Sequence, residues 1–177
     1  MLIVIISVAI LILLIIWVSA VYNKYQTYII RINEAENFID NTLRKRYDLL
    51  NKAISIIKSH VSKKETVLEC IENIKSKKLS NFELDRKLYD GINEFNKYKE
   101  DNEELSNSEE FIKIDLCLYE SEAEIVAARK YYNDIITEYN KQISRFPNNI
   151  VSKIMKFKKK TYYDGKNLEK DDSIKGI

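Results

Sequence analysis

Few side chains in this sequence have the chemistry and the spacing of a catalytic or metal site. The only histidine, His60, lies among charged residues at the end of a predicted helix, where we expect solvent to surround it. Cys70 and Cys117 are the only cysteines. They lie far apart in the sequence, without the three or four closely spaced Cys or His ligands that a zinc ion requires. We therefore interpret them as two free, buried thiols.

The remaining signatures of catalysis are also missing from the sequence. It contains no Gly-rich phosphate loop and no nucleophile elbow. The acidic pairs Glu103-Glu104 and Glu109-Glu110 lie in or beside a predicted loop, where they are interpreted as solvated helix starts. A net charge of +2 gives no reason to expect nucleic acid as a partner. The sequence predicts a protein that is not an enzyme and needs no metal, cofactor or small-molecule substrate.

Tyrosine and lysine are the two residue types that could form binding surfaces. The chain has 12 tyrosines, and most fit a core or an interface, where the ring packs and the hydroxyl finds a partner. Near the C-terminus, Ile150, Ile154, Met155 and Phe157 alternate with lysines in a short basic amphipathic stretch. Such a stretch can contact anionic lipid. The alternative is a solvated tail whose apolar side docks on the rest of the protein. The lysines of this possible lipid contact are Lys153, Lys156, Lys158, Lys159 and Lys160.

An uncharged apolar run occupies residues 1–21. It contains no proline and no glycine, and about twenty such residues span the core of a bilayer. Trp17 and Tyr22 lie near one end, where aromatic rings favour the membrane interface. The run is predicted to be a transmembrane helix. Two alternatives are a cleaved signal peptide or lipoprotein leader, with a possible cleavage site at residues 18–20, and a buried core helix.

The charges that flank this run predict its orientation. No Lys or Arg precedes it, whereas Lys24 and Arg31 follow it. The positive-inside rule then places the N-terminus of this single-pass anchor outside and the following domain in the cytoplasm.

The rest of the chain has the pattern of long amphipathic helices. Apolar residues recur at steps of three and four, and the chain holds only three glycines and one proline. Segments 22–60, 62–100 and 108–145 are about equally long and are predicted to pack up, down and up. An interruption near 77–81 would convert the middle segment into two helices of a four-helix bundle. The predicted fold class is all-α, with an N-terminal transmembrane helix followed by an antiparallel bundle of three to four long helices.

Local signals predict where these helices begin and end. Ser80 with Glu83 forms a capping-box pattern, and Ser62 with Glu65 forms another that could restart a helix there. Residues 99–108 are predicted to be a loop, followed by a helix that Asn107 or Ser108 caps.

The last long helix is predicted to stop at Phe146-Pro147, because proline disfavours helix in the residue before it. We expect Phe146 to be a buried anchor whose removal costs about 3–5 kcal/mol. A short amphipathic turn over 149–157 follows. Residues 161–177 are predicted to be disordered, because they contain almost no apolar residues.

Several of these residues resemble the pattern of the LemA family. The pair Tyr22-Asn23 follows the apolar run, and Glu-x-Val-Leu occurs at residues 65–68. The most extensive likeness is in ARKYYNDIITEYNKQISRFPNNIVSKIMKF, residues 128–157. Glu36, Asn51-Lys52, Lys156 and Thr161 stand where the family usually has Trp, Pro-Asn, Gly and Pro, so the chain resembles a divergent member. The residues that match the family pattern are Tyr22, Asn23, Asp40, Leu43, Arg46, Asp48, Tyr132, Asn133, Tyr139, Asn140, Phe146, Pro147 and Phe157.

The resemblance implies a membrane-anchored bacterial helical bundle over residues 22–160, without agreed catalytic residues. Tyr132-Asn133 and Tyr139-Asn140 are seven residues apart and therefore lie on one helix face. We expect each pair to hydrogen-bond a neighbouring helix, with a partner-binding patch as the alternative. The predicted function is a non-enzymatic scaffold or adaptor that binds another protein. The alternative is a lipid-contacting or membrane-remodelling protein that uses residues 150–160.

Overall fold

The structure, a computed structural model, describes residues 1–60, 71 and 79–164, without the side chains of His60, Glu104 and Leu105. In these residues all regular structure is helical, which confirms the all-α prediction. The predictions about a helix start at Ser62, the solvation of His60 and the environment of Cys70 lie outside the described part. The helices are α1 (Leu2–His60), α2 (Asn81–Asp101), α3 (Glu103–Ser106), α4 (Glu109–Ser144) and α5 (Asn148–Ile154).

Helix α1 runs unbroken for 59 residues, and its first third is the apolar run. The side chains of residues 1–16 are all exposed, so no other part of the described chain covers them. The Ser7 hydroxyl donates a 2.9 Å hydrogen bond to the carbonyl of Ile3 within the same helix. By length and composition, α1 can cross a membrane.

The predicted caps explain where α2 and α4 begin. The Glu83 amide donates to the Ser80 hydroxyl at 3.3 Å, and the Ser80 amide donates to the Glu83 carboxylate at 3.0 Å. The bond from the Ser80 amide holds the pKa of Glu83 below its usual value. The amide of Phe111 faces the Ser108 hydroxyl at 3.4 Å, which confirms Ser108 as the cap of α4. The loop predicted over 99–108 is shorter than expected, because α2 continues to Asp101 and α3 follows at once.

The chain folds into two compact units. We call Met1–Ala35 together with the residues from Tyr131 onward the terminal unit, and Glu36–Lys130 the central unit. Helices α1 and α4 each contribute residues to both units. The prediction of one bundle over 22–160 stays a prediction.

In the central unit, α4 packs antiparallel to α2. Phe95 stacks on Phe111 with ring centroids 4.7 Å apart, and the Lys99 amine lies 2.8 Å from the carboxylate of Asp115. Arg129, near the middle of α4, pairs with Asp85, near the start of α2. Residues later in α2 therefore contact residues earlier in α4, as expected for an antiparallel pair.

The α1 part of the central unit runs parallel to α2. Arg46 pairs with Asp85, and Leu50 lies beside Gly91. A methyl group on buried Gly91 would come within 2.8 Å of Ile71 and 3.4 Å of Leu50. Glycine here permits a close approach of α2 to Ile71. Because α2 runs parallel to α1 and α4 runs antiparallel to both, the up-down-up packing is wrong for these two helices. The four-helix alternative fits the described helices.

Candidate functional site

A cluster of aromatic rings joins the part of α1 just beyond the apolar run to the C-terminal residues of the terminal unit. Tyr25 is fully buried, and its ring lies 4.9 Å from that of Phe157 and 6.4 Å from that of Tyr139. The ring of Tyr22 lies 5.9 Å from Phe157. These contacts agree with the prediction that most tyrosines pack in a core or an interface.

The hydroxyl of Tyr25 ties α1 to α5. It donates to the carbonyl of Asn148 at 2.9 Å and to that of Gln142 at 3.3 Å. Burial is the main effect that raises the pKa of Tyr25 above 10.0, and the nearby Tyr139 hydroxyl raises it further. Burial likewise raises the pKa of Tyr139. Both groups are therefore neutral hydrogen-bond donors at physiological pH.

The two Tyr-Asn pairs of α4 hold an extended segment, residues 158–164, which we call the C-terminal strap. Tyr139 donates from its hydroxyl to the carbonyl of Lys158 at 3.0 Å. The Asn140 side chain donates to the carbonyl of Lys160 at 2.8 Å and accepts from the amide of Lys160 at 2.9 Å. This paired arrangement satisfies both backbone polar groups of one strap residue.

The first Tyr-Asn pair holds the end of the strap in the same way. The Asn133 carbonyl oxygen accepts from the amide of Tyr163 at 2.9 Å, and the ring of Tyr132 meets that of Tyr163 edge-on. The Tyr162 hydroxyl lies 3.1 Å from that of Thr137.

Two predictions are corrected by these contacts. The hydrogen bonds of Asn133, Tyr139 and Asn140 go to the strap, where a neighbouring helix was expected. Residues 161–164, predicted to be disordered, lie against α4 through the side-chain amide of Asn133, the hydroxyl of Thr137 and the ring of Tyr132. The rest of the predicted disordered tail, residues 165–177, lies outside the described part.

The turn that follows α4 is exposed, which contradicts the predicted anchor role of Phe146. Phe146 is 75% exposed, because α4 stops at Ser144 and the side chain no longer follows the buried stripe that ends at Ile143. In α5, only Val151 and Ser152 are buried.

The C-terminus of α5 has a Schellman arrangement. The Phe157 amide donates to the carbonyl of Ser152 at 2.9 Å, and the Lys156 amide faces the carbonyl of Lys153 at 3.3 Å. Lys156 occupies the left-handed region, with φ of 58°, where glycine is favoured. The predicted lipid-contact lysines flank this motif. Lys153, Lys156, Lys158 and Lys159 are exposed, and Lys160 is half-buried.

The central unit contains a cluster of four charges, of which Arg46 and Asp85 are buried and Glu122 and Arg129 are partly exposed. Arg46 is 1% exposed and pairs with Glu122 and, at 3.8 Å, with Asp85. Arg129 lies 3.3 Å from Asp85 and 3.7 Å from Glu122. The two cations and two anions alternate, so the cluster is neutral. It links α1, α2 and α4 at one level.

A groove of about 700 Å³ opens on the surface of the central unit between α2 and α4. Arg46 and Glu122 lie at its base. Its wall on α2 includes Tyr89, which is 57% exposed. Its wall on α4 carries Ile112, Leu116 and Tyr119, with exposed fractions of 53%, 56% and 79%.

The sequence analysis missed this groove, although a signal was present. Residues 112, 116, 119, 123 and 126 of α4 are apolar or aromatic at alternating steps of four and three. They form a second stripe beside the buried stripe that begins at Phe111, and all five are exposed. A helix with two apolar stripes has one face for its own core and another for a further contact.

Among the described residues, no three His, Cys, Asp or Glu side chains are grouped so as to hold a metal ion.

A family model of the LemA family matches residues 35–175. The chain belongs to the LemA family. No curated protein matches it.

This LemA chain brings most of its family-pattern residues into the terminal unit. Tyr22 and Phe157 meet in the aromatic cluster, and Tyr132, Asn133, Tyr139 and Asn140 hold the strap.

The pattern residues of the central unit are more scattered. Leu43 is buried, Asp40 pairs with Arg44 one turn away at 2.7 Å, and Asp48 is exposed. Arg46 alone of these enters the charge cluster. Exposed Asn23 accepts a bond from Thr27 through its carbonyl, and Pro147 is exposed beside Phe146.

Proposed function

We propose that this LemA-family chain is a membrane-anchored adaptor, not an enzyme, and that its central unit binds an amphipathic helix of another protein. The observation that carries the proposal is the exposed stripe on α4 with the groove beside it. A contiguous exposed apolar surface is typical of an interaction site. Apolar side chains at helical spacing beside a groove suit a helix that supplies anchors every three or four residues.

The net charge of the segment that forms the groove indicates the chemistry of the partner helix. Residues 81–124, which supply both walls, contain 14 acidic and five basic residues. Complementary charge speeds association and selects the partner. We therefore expect a helix with an apolar face and a basic rim.

Helix α1 supports the anchoring part of the proposal. Its first 21 residues form a helix that can cross a membrane, and side chains 1–16 are exposed. The orientation, with the N-terminus outside and the two units in the cytoplasm, rests on the flanking charges. Protease cleavage of the units from intact cells would reverse that orientation.

Photo-crosslinking in cells tests the groove. A benzophenone residue replaces Leu116 in one variant and Phe38 in the control, since these exposed side chains lie on different helices of the central unit. We expect a protein adduct at position 116 only. Mass spectrometry of the adduct should identify a basic amphipathic segment of another protein. A crosslink to a second copy of this chain, equal adducts at both positions, or no adduct would contradict the proposal.

Contact of residues 150–160 with lipid is a second candidate function. The exposure of Ile150, Ile154 and Met155 beside the exposed lysines favours it over the docked-tail alternative. Such a contact is compatible with the adaptor role.

A further inference from the structure

Four large apolar side chains are exposed within ten residues of the terminal unit. Phe146 is 75% exposed, Ile150 46%, Ile154 69% and Met155 46%. Single exposed apolar residues are common on protein surfaces. Four so close together form a surface that water solvates poorly. We call these residues the apolar patch.

The position of α5 places this patch near the end of the apolar run. Tyr25 donates a hydrogen bond to Asn148, the first residue of α5, and Tyr22 contacts Phe157, just beyond α5. Tyr25 lies four residues after Val21, which is roughly 6 Å along the axis of a helix. The headgroup layer on each side of a bilayer is about 5–8 Å thick. If α1 crosses the membrane, α5 is attached at the level of the lipid headgroups.

The charge of the terminal unit suits an anionic surface. Residues 22–35 and 131–164 contain nine basic and four acidic residues. Exposed Lys153 and Lys156 directly flank Ile154 and Met155. Apolar side chains bordered by lysines are typical of segments that lie in a membrane interface. Near an anionic leaflet, each lysine strengthens the attraction about fivefold.

We propose that the apolar patch lies in the headgroup region of the bilayer that α1 crosses, with Lys153 and Lys156 at the phosphates of anionic lipids. This inference rests on the proposed membrane anchoring. It assigns α5 and Phe146 as a second contact with the same membrane and explains why Phe146 is outside the protein core. The patch would fix the tilt and rotation of the anchored chain at the surface.

Spin-label depth measurements on the full chain test this inference. The chain, with Cys70 and Cys117 replaced by serine, is reconstituted into vesicles of equal parts phosphatidylglycerol and phosphatidylcholine. A nitroxide is attached at Ile154→Cys, at Val126→Cys as an equally apolar exposed control, or at Ile10→Cys in the apolar run. Circular dichroism verifies that each variant is helical. Relaxation by a water-soluble nickel chelate and by lipid-soluble oxygen reports the depth of each label.

We expect the label at 154 to be several-fold less accessible to nickel than the label at 126, while it stays accessible to oxygen. K153Q/K156Q should return it toward water in these vesicles, and by less in pure phosphatidylcholine. Nickel accessibility at 154 equal to that at 126 would overturn the inference, and so would shielding from both reagents, which indicates protein contact. If the label at position 10 is accessible to the water-soluble nickel chelate, the proposed membrane anchoring itself is wrong.

Discussion

The two units differ in the interactions that hold them together and in the charge that they expose. The terminal unit is joined by neutral hydrogen bonds that Tyr25 donates and that Asn133 and Asn140 accept, and it carries nine basic against four acidic residues beyond the apolar run. The described central unit is joined by a charge cluster around buried Arg46 and Asp85 and carries 17 acidic against 12 basic residues. Because α1 and α4 supply both units, the difference lies in side chains and not in the type of fold.

This contrast indicates two kinds of external contact. An aromatic and basic surface matches a lipid headgroup layer. An apolar groove on a unit with an excess of acidic residues matches a basic amphipathic helix. The predictions below test whether the two units are as distinct in energy as they are in composition.

The largest effect is expected at the charge cluster of the central unit. Arg46→Met leaves buried Asp85 without one of its two cations, and loss of one partner from a buried ion pair typically costs about 3–5 kcal/mol. The measurement is the free energy of unfolding in urea. Arg44→Met is the matched control, because exposed Arg44 pairs with Asp40 on its own helix, and its loss should change the free energy of unfolding far less. Equal effects of the two variants would mean that the cluster does not hold the central unit.

Two phenylalanines provide a second test of the contrast. Phe111→Ala removes a fully buried ring that stacks on Phe95, at an expected cost of about 3–5 kcal/mol. Phe146→Ala should change the unfolding free energy by less than about 0.5 kcal/mol, because the ring is exposed. Thermal melting of both variants measures the difference. A strongly destabilised Phe146→Ala would restore the anchor role that the sequence predicted.

A local effect is expected at the C-terminal strap. Asn140→Ala removes both hydrogen bonds to Lys160, which together contribute about 1–3 kcal/mol. Hydrogen exchange should show a faster amide at Lys160, with amides in the middle of α2 unchanged. The control variant is Asn93→Ala, because Asn93 is exposed on α2. Unchanged protection at Lys160 would show that the strap is held by other contacts.

The terminal unit should also respond to alkaline pH through its buried tyrosines. Folding raises the pKa of Tyr25 and Tyr139. As the pH rises, the unfolded chain therefore loses these protons at a lower pH than the folded chain. Their contribution to stability is fully present below the unfolded pKa of about 10 and is lost as the pH rises through the folded-state values. Melting curves between neutral and strongly alkaline pH measure this loss. The double variant Tyr25→Phe/Tyr139→Phe should show a smaller alkaline decrease than the parent.

The smallest effect concerns Lys156, whose positive φ favours glycine. Lys156→Gly relieves a backbone cost of about 1–2 kcal/mol but adds freedom to the unfolded chain, so a gain of at most about 1 kcal/mol is expected. Lys153→Gly, inside α5, should instead destabilise by about 0.5–1 kcal/mol. Opposite signs in thermal melting would confirm the C-terminal motif of α5, and a destabilised Lys156→Gly would contradict it.

The helices were predictable because their signals are local. Apolar spacing, the Ser80 cap and the breaker at Pro147 act within a few residues, and each appears where the sequence placed it. The family pattern also marked Lys156 as unusual, since a glycine position often requires a left-handed backbone. The described helices and the family match confirm this level of prediction.

The contacts between distant residues were not predictable from spacing alone. The strap has no aliphatic residues, and nothing local showed that Asn133 and Asn140 would bind its backbone. The exposed second stripe on α4 could have been found by counting both stripes, but only the structure showed which one is buried. Phe146 failed as an anchor because a stripe that continues in sequence does not continue in space after the helix ends.

The most direct test of the two-surface account compares Phe146 and Tyr119, which are 75% and 79% exposed. Each is replaced in turn by a benzophenone residue in the full chain, and cells are irradiated and analysed for both lipid and protein adducts. The account predicts lipid adducts at position 146 and an adduct with another protein at position 119. The same class of adduct at both positions, or the reverse assignment, would contradict it.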